Sequence, residues 1–331
     1  MEIDIEMEPF SDALRDAYRE LLPEISHEKL DWRFVRNPAA GHGFATARAE
    51  GKIVGINAFM ALRLRLNGAL VPAYQSMDTV VAHVCRGQGL FTRLLHCFYQ
   101  AVPAAGAALL YGFPNSNSAH GFFHKLGWKR LGTPPFLIKP LRSGYFLKLL
   151  DVPLAFKRKL PPVRIVVIDR FDEKADALWQ SHRFACAVER DAAYLNWRLA
   201  DHPDARYTSK AALAADGSWD AFISYIALEK HGGRIGYVME ALARPGKEAA
   251  LDALLRDMSN DMIGQRVDAI LAWCPAHAPN HAAYRRRGFW PLPGKLRPIQ
   301  LHFGYKPLLT GEQPVLSALD WYVSYLDSDT V

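Results

Sequence analysis

The chain has 331 residues, half of them hydrophobic and 22% of them charged. This length predicts two domains, and the composition excludes wholesale disorder. The net charge of +6 reflects 40 basic against 34 acidic residues, an excess too small and too dispersed to indicate a nucleic-acid-binding protein.

Cysteine use and hydrophobic runs indicate where the protein works. Cys85, Cys97, Cys186 and Cys274 are widely separated, which argues against a disulfide framework or a structural zinc site. The first ten residues are acidic and lack the pattern of a secretory signal. With no run of 18 apolar residues, we expect a cytoplasmic protein without a transmembrane segment.

Hydrophobic spacing and turn residues predict alternating helices and strands through the first half. The predicted elements are a helix over 11–22 with Ser11 as N-cap, strands over 43–50 and 52–62, a strand over 77–84, a helix over 90–102, a strand over 107–113, and a helix over 118–126 with Ser118 as N-cap and Gly127 after its end. This order predicts an α/β fold with crossover connections.

The two halves contain an internal repeat. Residues 30–34 (LDWRF) resemble residues 195–199 (LNWRL), with Trp32 matching Trp197, and residues 122–128 resemble residues 283–289. The two matches occur in the same order at nearly equal offsets, so we predict two copies of one domain in tandem. We expect both tryptophans to be core residues rather than stacking platforms.

A break in the pattern places the domain boundary. The stretch 141–164 ends in a basic cluster and two prolines, so we predict a first domain over 1–140, a connector over 141–164, a diverged second domain over 165–310 and a tail over 311–331. The stretch also fits a basic amphipathic membrane contact, but Pro153 interrupts it. We therefore expect a packed connector between the domains.

Residues 77–95 (MDTVVAHVCRGQGLFTRLL) carry the most specific signal. A predicted strand runs into Arg86-Gly87-Gln88-Gly89, and a helix begins at about Leu90. Glycines allow a tight turn, and the amides of the loop and the helix N-terminus face an anion together, for which a diphosphate is the natural ligand. The pattern is neither a Walker A nor a dinucleotide-binding motif.

This segment resembles the acyl-CoA-binding motif R/Q-x-x-G-x-G/A of the GCN5-related N-acetyltransferase (GNAT) superfamily, with Phe91 where a small residue usually stands. Residues 112–132 (GFPNSNSAHGFFHKLGWKRLG) resemble the second motif of that family. The resemblance implies two tandem GNAT-like domains, each a mixed twisted sheet flanked by helices, the second one diverged. It also implies acetyl-CoA as co-substrate.

The resemblance assigns binding roles to named residues. Backbone groups of Thr79, Val80 and Val81 would meet the pantetheine arm, and Asn115 would lie near the pantetheine or the acyl group, although asparagine also suits the turn predicted there. The diphosphate would be held by the main-chain amides of Arg86, Gly87, Gln88, Gly89, Leu90 and Phe91.

The second copy lacks this loop. Its counterpart reads Arg244-Pro245-Gly246-Lys247, in which proline removes a donor, and Glu248 brings a negative charge toward the place of the phosphates. We therefore predict no CoA in the second half, which would be structural or wall the acceptor pocket.

Direct transfer to an amine needs a base more than an acid, because deprotonating an alkylammonium at pH 7 costs about 4.6 kcal/mol and supplying a thiol proton about 2. Asp78, in an apolar strand, is the first candidate base, with a pKa that burial would raise. His83 is the second candidate, on the opposite strand face. A strand amide near Val80 to Ala82 would meet the oxyanion.

The tyrosine that the family uses as general acid is replaced by Phe123. His120 is a candidate for assisting thiolate departure. His120 and His124 share one helix face, but no third ligand accompanies them, so we expect no metal site.

Three functions fit these observations. The first is an acetyl-CoA-dependent N-acyltransferase acting on a small amine or amino sugar. The second is a tandem aminoacyltransferase of the peptidoglycan-branching type, which would not need a diphosphate loop. The third is a non-catalytic CoA-binding protein, which the missing tyrosine supports. We expect a monomer or homodimer.

Overall fold

Two mixed sheets with flanking helices form the protein in a computed structural model that describes residues 2–102, 106–147, 151–308 and 315–331. The first 140 residues form β1 (Asp4–Glu8), α1 (Asp12–Leu21), α2 (His27–Phe34), β2 (Gly43–Ala49), β3 (Lys52–Leu66), β4 (Ala69–Val81), α3 (Leu90–Ala101), β5 (Leu109–Gly112), α4 (Ser116–His120), β6 (Lys129–Gly132) and β7 (Phe136–Pro140). No helix within the described residues has the length and apolar character that crossing a membrane requires.

The remaining residues repeat a similar series. They form α5 (Gly144–Leu147), β8 (Arg164–Val167), α6 (Glu173–Gln180), β9 (Cys186–Val188), α7 (Ala192–Leu195), β10 (Thr208–Leu213), β11 (Trp219–Lys230), β12 (Gly233–Ala243), α8 (Glu248–Gly264), β13 (Ala269–Trp273), α9 (His281–Arg286), β14 (Trp290–Pro291) and β15 (Phe303–Pro307). The α/β fold of two tandem domains is therefore confirmed.

Local signals in the sequence account for most of the first-half elements. Ser11 caps α1 by accepting a hydrogen bond from the backbone of Leu14, and the positive φ values of Glu50 and Gly51 form the turn between β2 and β3. Two expectations are wrong. The strand predicted over 77–84 ends at Val81, and the short helix is capped by Asn115 rather than Ser118.

Strand exchange joins the two sheets. The first sheet has the order β1-β2-β3-β4-β5-β15-β6, with β9 beside β3, and the second has the order β14-β7-β13-β12-β11-β10-β8. Strand β15 from the second half thus completes the first sheet, while β7 from the first half completes the second. The boundaries 1–140, 141–164, 165–310 and 311–331 remain a prediction.

The repeated tryptophans lie at the centre of the junction. Trp32 and Trp197 are each 3% exposed, and their rings stack with centroids 4.8 Å apart. Each indole N–H donates to the main-chain carbonyl of the other tryptophan at 2.7 Å. The prediction that both are core residues is confirmed, and such a pair adds about 0.5–1.5 kcal/mol beyond its burial.

The chain after residue 315 fills the space between the halves. Trp321, Tyr322, Tyr325 and Leu326 are all buried, and the main-chain carbonyl of Asp327 accepts a hydrogen bond from Gln75 on β4. This part of the predicted tail therefore belongs to the core of the molecule.

Candidate active site

A cleft opens where β4 and β5 separate. The two strands pair in parallel only through Ala73–Gln75 and Leu109–Tyr111, after which β4 continues alongside β3 while β5 ends at Gly112. The cleft has a volume of about 1040 Å³. Its walls come from β4, the loop after it, the corner between β5 and α4, and the chain near residues 299–301 and 329–330.

A bulge in β4 shapes the centre of the cleft. Asn57 of β3 lies opposite Thr79, and Phe59 lies opposite Ser76. One residue of β3, Ala58, therefore faces two residues of β4, Met77 and Asp78. A bulge of this kind bends a strand and re-aims its side chains. The simple alternation that the sequence predicts around Asp78 is therefore broken at this residue.

The loop from Arg86 to Gly89 lies at one end of the cleft. Gly87 and Gly89 have φ values of +80° and +72°, and a Cβ at either position would meet no atom within 4 Å. Within the described chain, the amides from Gly87 to Phe91 donate to no main-chain carbonyl. They open α3, so free N–H groups and the helix N-terminus face the same space.

Phe91 stands at a position where the resemblance predicts a small residue, and the neighbouring residues make room for its ring. A Cβ on Gly121 would lie 2.6 Å from the Phe91 ring, so a glycine makes room for this side chain. The Phe91 ring also meets Phe122 edge-on, at 5.3 Å between centroids. Phe91 remains one of the residues that line the cleft.

Asp78 lies in the cleft but is already paired. Its Oδ2 accepts hydrogen bonds from the Tyr18 hydroxyl at 2.6 Å and from Arg33 Nη1 at 2.8 Å. Burial and the charge of Asp78 raise the pKa of Tyr18 well above its ordinary value, so Tyr18 stays a neutral donor. The expectation of apolar surroundings for Asp78 is thus wrong, because a hydroxyl and a guanidinium both contact its carboxylate.

A second carboxylate, not predicted from the sequence, joins this group. Asp329 lies 4.0 Å from Arg33 Nη2 and lines the same cleft. Arg33 is buried, and although burial alone would lower its pKa, Asp78 and Asp329 hold that pKa above its ordinary value. No local pattern marks Asp329, because it is separated from Asp78 by most of the chain.

The other predicted catalytic residues lie in different places. His83 is exposed on a short 3₁₀ turn that follows β4, and it is not among the described residues that line the cleft. His120 ends α4, lines the cleft and stacks on His124 at 4.8 Å. Phe123 turns toward Arg130, whose guanidinium lies 4.5 Å from its ring. In the described part of the chain, no group of three or more His, Cys, Asp or Glu side chains is arranged to hold a metal.

The predicted pantetheine contacts are brought together along one wall. Thr79, Val80 and Val81 line the cleft, and the Thr79 hydroxyl accepts a hydrogen bond from Asn57. The N–H of Ala82 donates to the carbonyl of Val54, so it is unavailable to an oxyanion.

Asn115 lies on the opposite wall as the N-cap of α4. Its Oδ1 accepts hydrogen bonds from the amides of Asn117 and Ser118 at 3.0 and 3.2 Å. This is the turn role that the sequence left open beside ligand binding. Asn115 also lines the cleft, so its amide nitrogen is the part of the side chain left to meet a ligand.

The corresponding region of the second half is filled by protein. Glu240 on β12 is the counterpart of Asp78 on β4, since each follows a methionine. Glu240, however, is only 1% exposed and forms an ion pair with Arg190 at 3.0 Å. Tyr322 and Ser324 from the C-terminal segment also donate to Glu240. That segment thus occupies the space equivalent to the first-half cleft.

The loop of the second half is also altered. The Gly246 amide, which would face a phosphate, donates to the carboxylate of Glu248 at 3.0 Å. Hydrogen bonds from the main chain lower the pKa of Glu248, which keeps this side chain charged. The side chain of Asn280, the residue before α9, donates to the carbonyl of Ala241 on β12 at 2.6 Å. These contacts favour the prediction that the second half holds no CoA.

The glycine bend thus opens α3 beside two separating parallel strands, an arrangement of free amides that suits an anionic group. Residues 4–131 match the family model of the Acetyltransferase (GNAT) domain. The match to this family is confined to those residues of the first half.

Solved structures show the same two-domain fold. N-myristoyltransferase of Saccharomyces cerevisiae with bound myristoyl-CoA has a TM-score of 0.59 at 14% identity, over 91% of this chain and 78% of that one. A probable N-acyltransferase of Enterococcus faecalis has a TM-score of 0.65 at 10% identity, over 93% of this chain and 73% of that one. A GCN5-related N-acetyltransferase of Anabaena variabilis has a TM-score of 0.64 at 12% identity, over 93% and 73%. No curated protein matches this sequence.

Proposed function

We propose that the protein is an acyl-CoA-dependent N-acyltransferase that transfers an acetyl group directly to a small amine or amino sugar. The observation that supports this most is the run of free amides from Gly87 to Phe91 at one end of a cleft between two separating strands. Such amides bind a diphosphate, and the cleft of about 1040 Å³ continues from them between the strands, where the pantetheine arm would lie.

In the proposed reaction, the acceptor ammonium approaches Asp78 within the cleft that Asp329 also lines. Asp78 takes a proton from it, directly or through a water molecule, and the neutral amine attacks the thioester carbonyl. The new C–N bond forms and the C–S bond breaks. The attacking nitrogen then loses its second proton, which passes directly or through water to the departing CoA thiolate, and Asp78 returns the first proton to solvent. The amide of Val81, which points away from β3, would stabilise the oxyanion.

His120 is the side chain proposed to assist thiolate departure, because it lines the cleft beside the α4 corner. We assign no role to His83, which lies outside the cleft lining. The missing tyrosine at Phe123 is compatible with transfer, since the proton needed by the thiolate costs less than the one removed from the amine.

Binding of acetyl-CoA, measured by titration calorimetry, tests the proposal. We expect Gly89→Glu to weaken binding at least a hundred-fold, because the new carboxylate repels the diphosphate in the loop. Gly68→Glu is the matched control: Gly68 also has a positive φ, of +86°, with nothing within 4 Å of an added Cβ, but it lies in the turn between β3 and β4. A protein that binds no acyl-CoA would refute the proposal.

Competition separates the alternatives. We expect free CoA to displace acetyl-CoA and charged tRNA to leave it bound; the reverse would favour the tandem aminoacyltransferase. Release of free thiol with one member of an amine panel is expected for a transferase. Binding without turnover by any amine would instead favour a non-catalytic CoA-binding protein.

A further inference from the structure

The segment that follows the first domain presents apolar side chains to solvent. Val152, Leu154 and Phe156 are 39%, 52% and 71% exposed. The expectation of a packed connector is therefore wrong for these side chains. The three side chains lie close together in sequence, and Pro153 between the first two is exposed as well, while Ala155 packs against the core. The largest hydrophobic groups thus face outward and the smallest faces inward.

The backbone of this segment is held in place. The N–H of Leu154 donates to the carbonyl of Leu141 at 2.8 Å, and the N–H of Ser143 donates to the carbonyl of Val152 at 3.0 Å. Further along, Asn260 of α8 bonds both the N–H and the carbonyl of Arg158, at 2.9 and 2.8 Å. Because the chain is tied on both sides of Phe156, this ring is presented on a fixed surface.

Basic residues directly follow the apolar ones. Lys157, Arg158 and Lys159 are all exposed, and the side chain of Arg266 nearby is 75% exposed. The acidic residue at the start of the segment, Asp151, is ion-paired with Arg142 and also lies 3.9 Å from Arg266, so it offsets part of this positive charge. We call Val152, Leu154, Phe156, Arg158, Lys159 and Arg266 the connector face. It combines outward apolar groups with an excess of positive charge.

We propose that the connector face docks the protein on the surface of an anionic lipid membrane. Exposed apolar side chains on a firm backbone insert at the boundary between headgroups and acyl chains, and neighbouring lysine and arginine bind the lipid phosphates. The charge pattern favours a lipid surface over an apolar protein groove, because the cations adjoin the hydrophobic groups on one continuous segment. This inference does not depend on the proposed enzymatic activity.

Sedimentation of the full chain with vesicles tests this proposal. We expect binding to equimolar phosphatidylglycerol and phosphatidylcholine, weakened by salt, and no binding to phosphatidylcholine alone. The double variant Leu154→Ser/Phe156→Ser is expected to bind at least ten-fold more weakly. Arg158→Gln/Lys159→Gln is expected to bind about thirty-fold more weakly, from a loss of about 1 kcal/mol per cation. Asn260 contacts only the main chain of Arg158, so this variant keeps the backbone tie.

Matched controls come from exposed residues elsewhere. Val35 and Leu70 are 61% and 51% exposed, so Val35→Ser/Leu70→Ser removes comparable apolar surface from the first half. Lys52→Gln/Lys295→Gln removes two exposed charges. We expect neither control to change vesicle binding more than two-fold. Absence of binding to anionic vesicles, or equal losses in the controls, would overturn the proposal. The proposal would also be overturned if soluble polyglutamate displaced the protein from the vesicles and the Leu154→Ser/Phe156→Ser variant bound them as well as the wild type. That result would indicate an acidic protein partner.

Discussion

The pairing of Asp78 determines what this side chain is able to do in the cleft. Arg33 and Tyr18 both donate to Oδ2, which leaves Oδ1 without a hydrogen bond among the described side chains. A carboxylate held in this way is fixed in position, with one oxygen directed at the space that a proton donor would occupy. The same contacts mean that Asp78 also stabilises the fold, since Arg33 is buried beside it.

We expect Asp78→Asn to lower turnover at least a hundred-fold and to leave acetyl-CoA affinity within two-fold. Stability should fall by about 1–3 kcal/mol, because a buried guanidinium loses a charged partner. Steady-state kinetics, calorimetry and urea unfolding measure the three quantities. Asp201→Asn, which breaks an exposed pair with Arg170, is the control and should keep full activity. Unchanged turnover in Asp78→Asn would exclude it as the base.

His202 makes the stability of the protein dependent on pH. It is 5% exposed, its ring lies 4.4 Å from that of Trp32, and its Nδ1 accepts from the amides of Asp204 and Ala205. Burial, and then the positive charges of Arg198 and Lys29, lower the pKa of His202 to about 3. The unfolded chain therefore takes up this proton first as the pH falls.

Because the folded pKa lies below the unfolded one, this stability is complete above pH 6.5 and is lost progressively as the pH falls toward 3. Between pH 7.5 and 5 the loss should be about 2 kcal/mol. His202→Asn keeps an acceptor for the two amides but does not titrate, so its stability should fall less over this range in urea unfolding. His96→Asn, at an exposed site on α3, should behave like the wild type. Parallel pH profiles for all three proteins would contradict this assignment.

At the level of helices and strands, the two ends of the cleft are built by local chain geometry. Positive φ values at Gly87 and Gly89 turn the chain into α3, and the side chain of Asn115 starts α4. Both features depend on neighbours in sequence, which is why the residues around them identify them. The bulge in β4 depends instead on its pairing with β3, and sequence periodicity does not reveal it.

Two substitutions at Asn115 separate its role as a cap from a role in binding. Asn115→Ala should cost about 1 kcal/mol of stability, while Asn115→Asp should be neutral, because aspartate is an equally good cap. If the amide nitrogen meets the ligand, Asn115→Asp will still weaken acetyl-CoA binding by at least five-fold. Thermal unfolding and calorimetry give the two answers. Full affinity in Asn115→Asp would show that the residue serves only the turn.

For the molecule as a whole, exchange of strands makes the halves interdependent. Strand β15 lies between β5 and β6, so the first half alone lacks a strand next to the cleft. The C-terminal segment is anchored in the second half, where Asp327 pairs with the buried Arg190 at 2.7 Å, and it brings Asp329 to the first-half cleft. The second half thus contributes to the acceptor side of the proposed site.

A fragment of residues 1–140 should therefore be insoluble or unfolded and should bind no acetyl-CoA, because it lacks β15 and the C-terminal segment. Co-expression with a fragment of residues 141–331 should restore a soluble complex that binds acetyl-CoA. Circular dichroism and calorimetry measure both outcomes. A well-folded, CoA-binding fragment of 1–140 would show that the strand exchange is dispensable.

Short-range features were predictable from the amino-acid sequence: the glycine bend, the repeat with its buried tryptophans, and part of the helices and strands of the first half. The prediction missed β1, α2, β6 and β7. The predictable features depend on side-chain periodicity, caps and backbone freedom, which act between neighbours. The partners of Asp78, the approach of Asp329, the filled cleft of the second half and the exchanged strands arise only when distant segments pack together. Their energies come from burial and charge pairing between residues far apart in the sequence. Arg33 and Asp329, for example, are 296 positions apart (329 − 33), and no local pattern encodes such contacts.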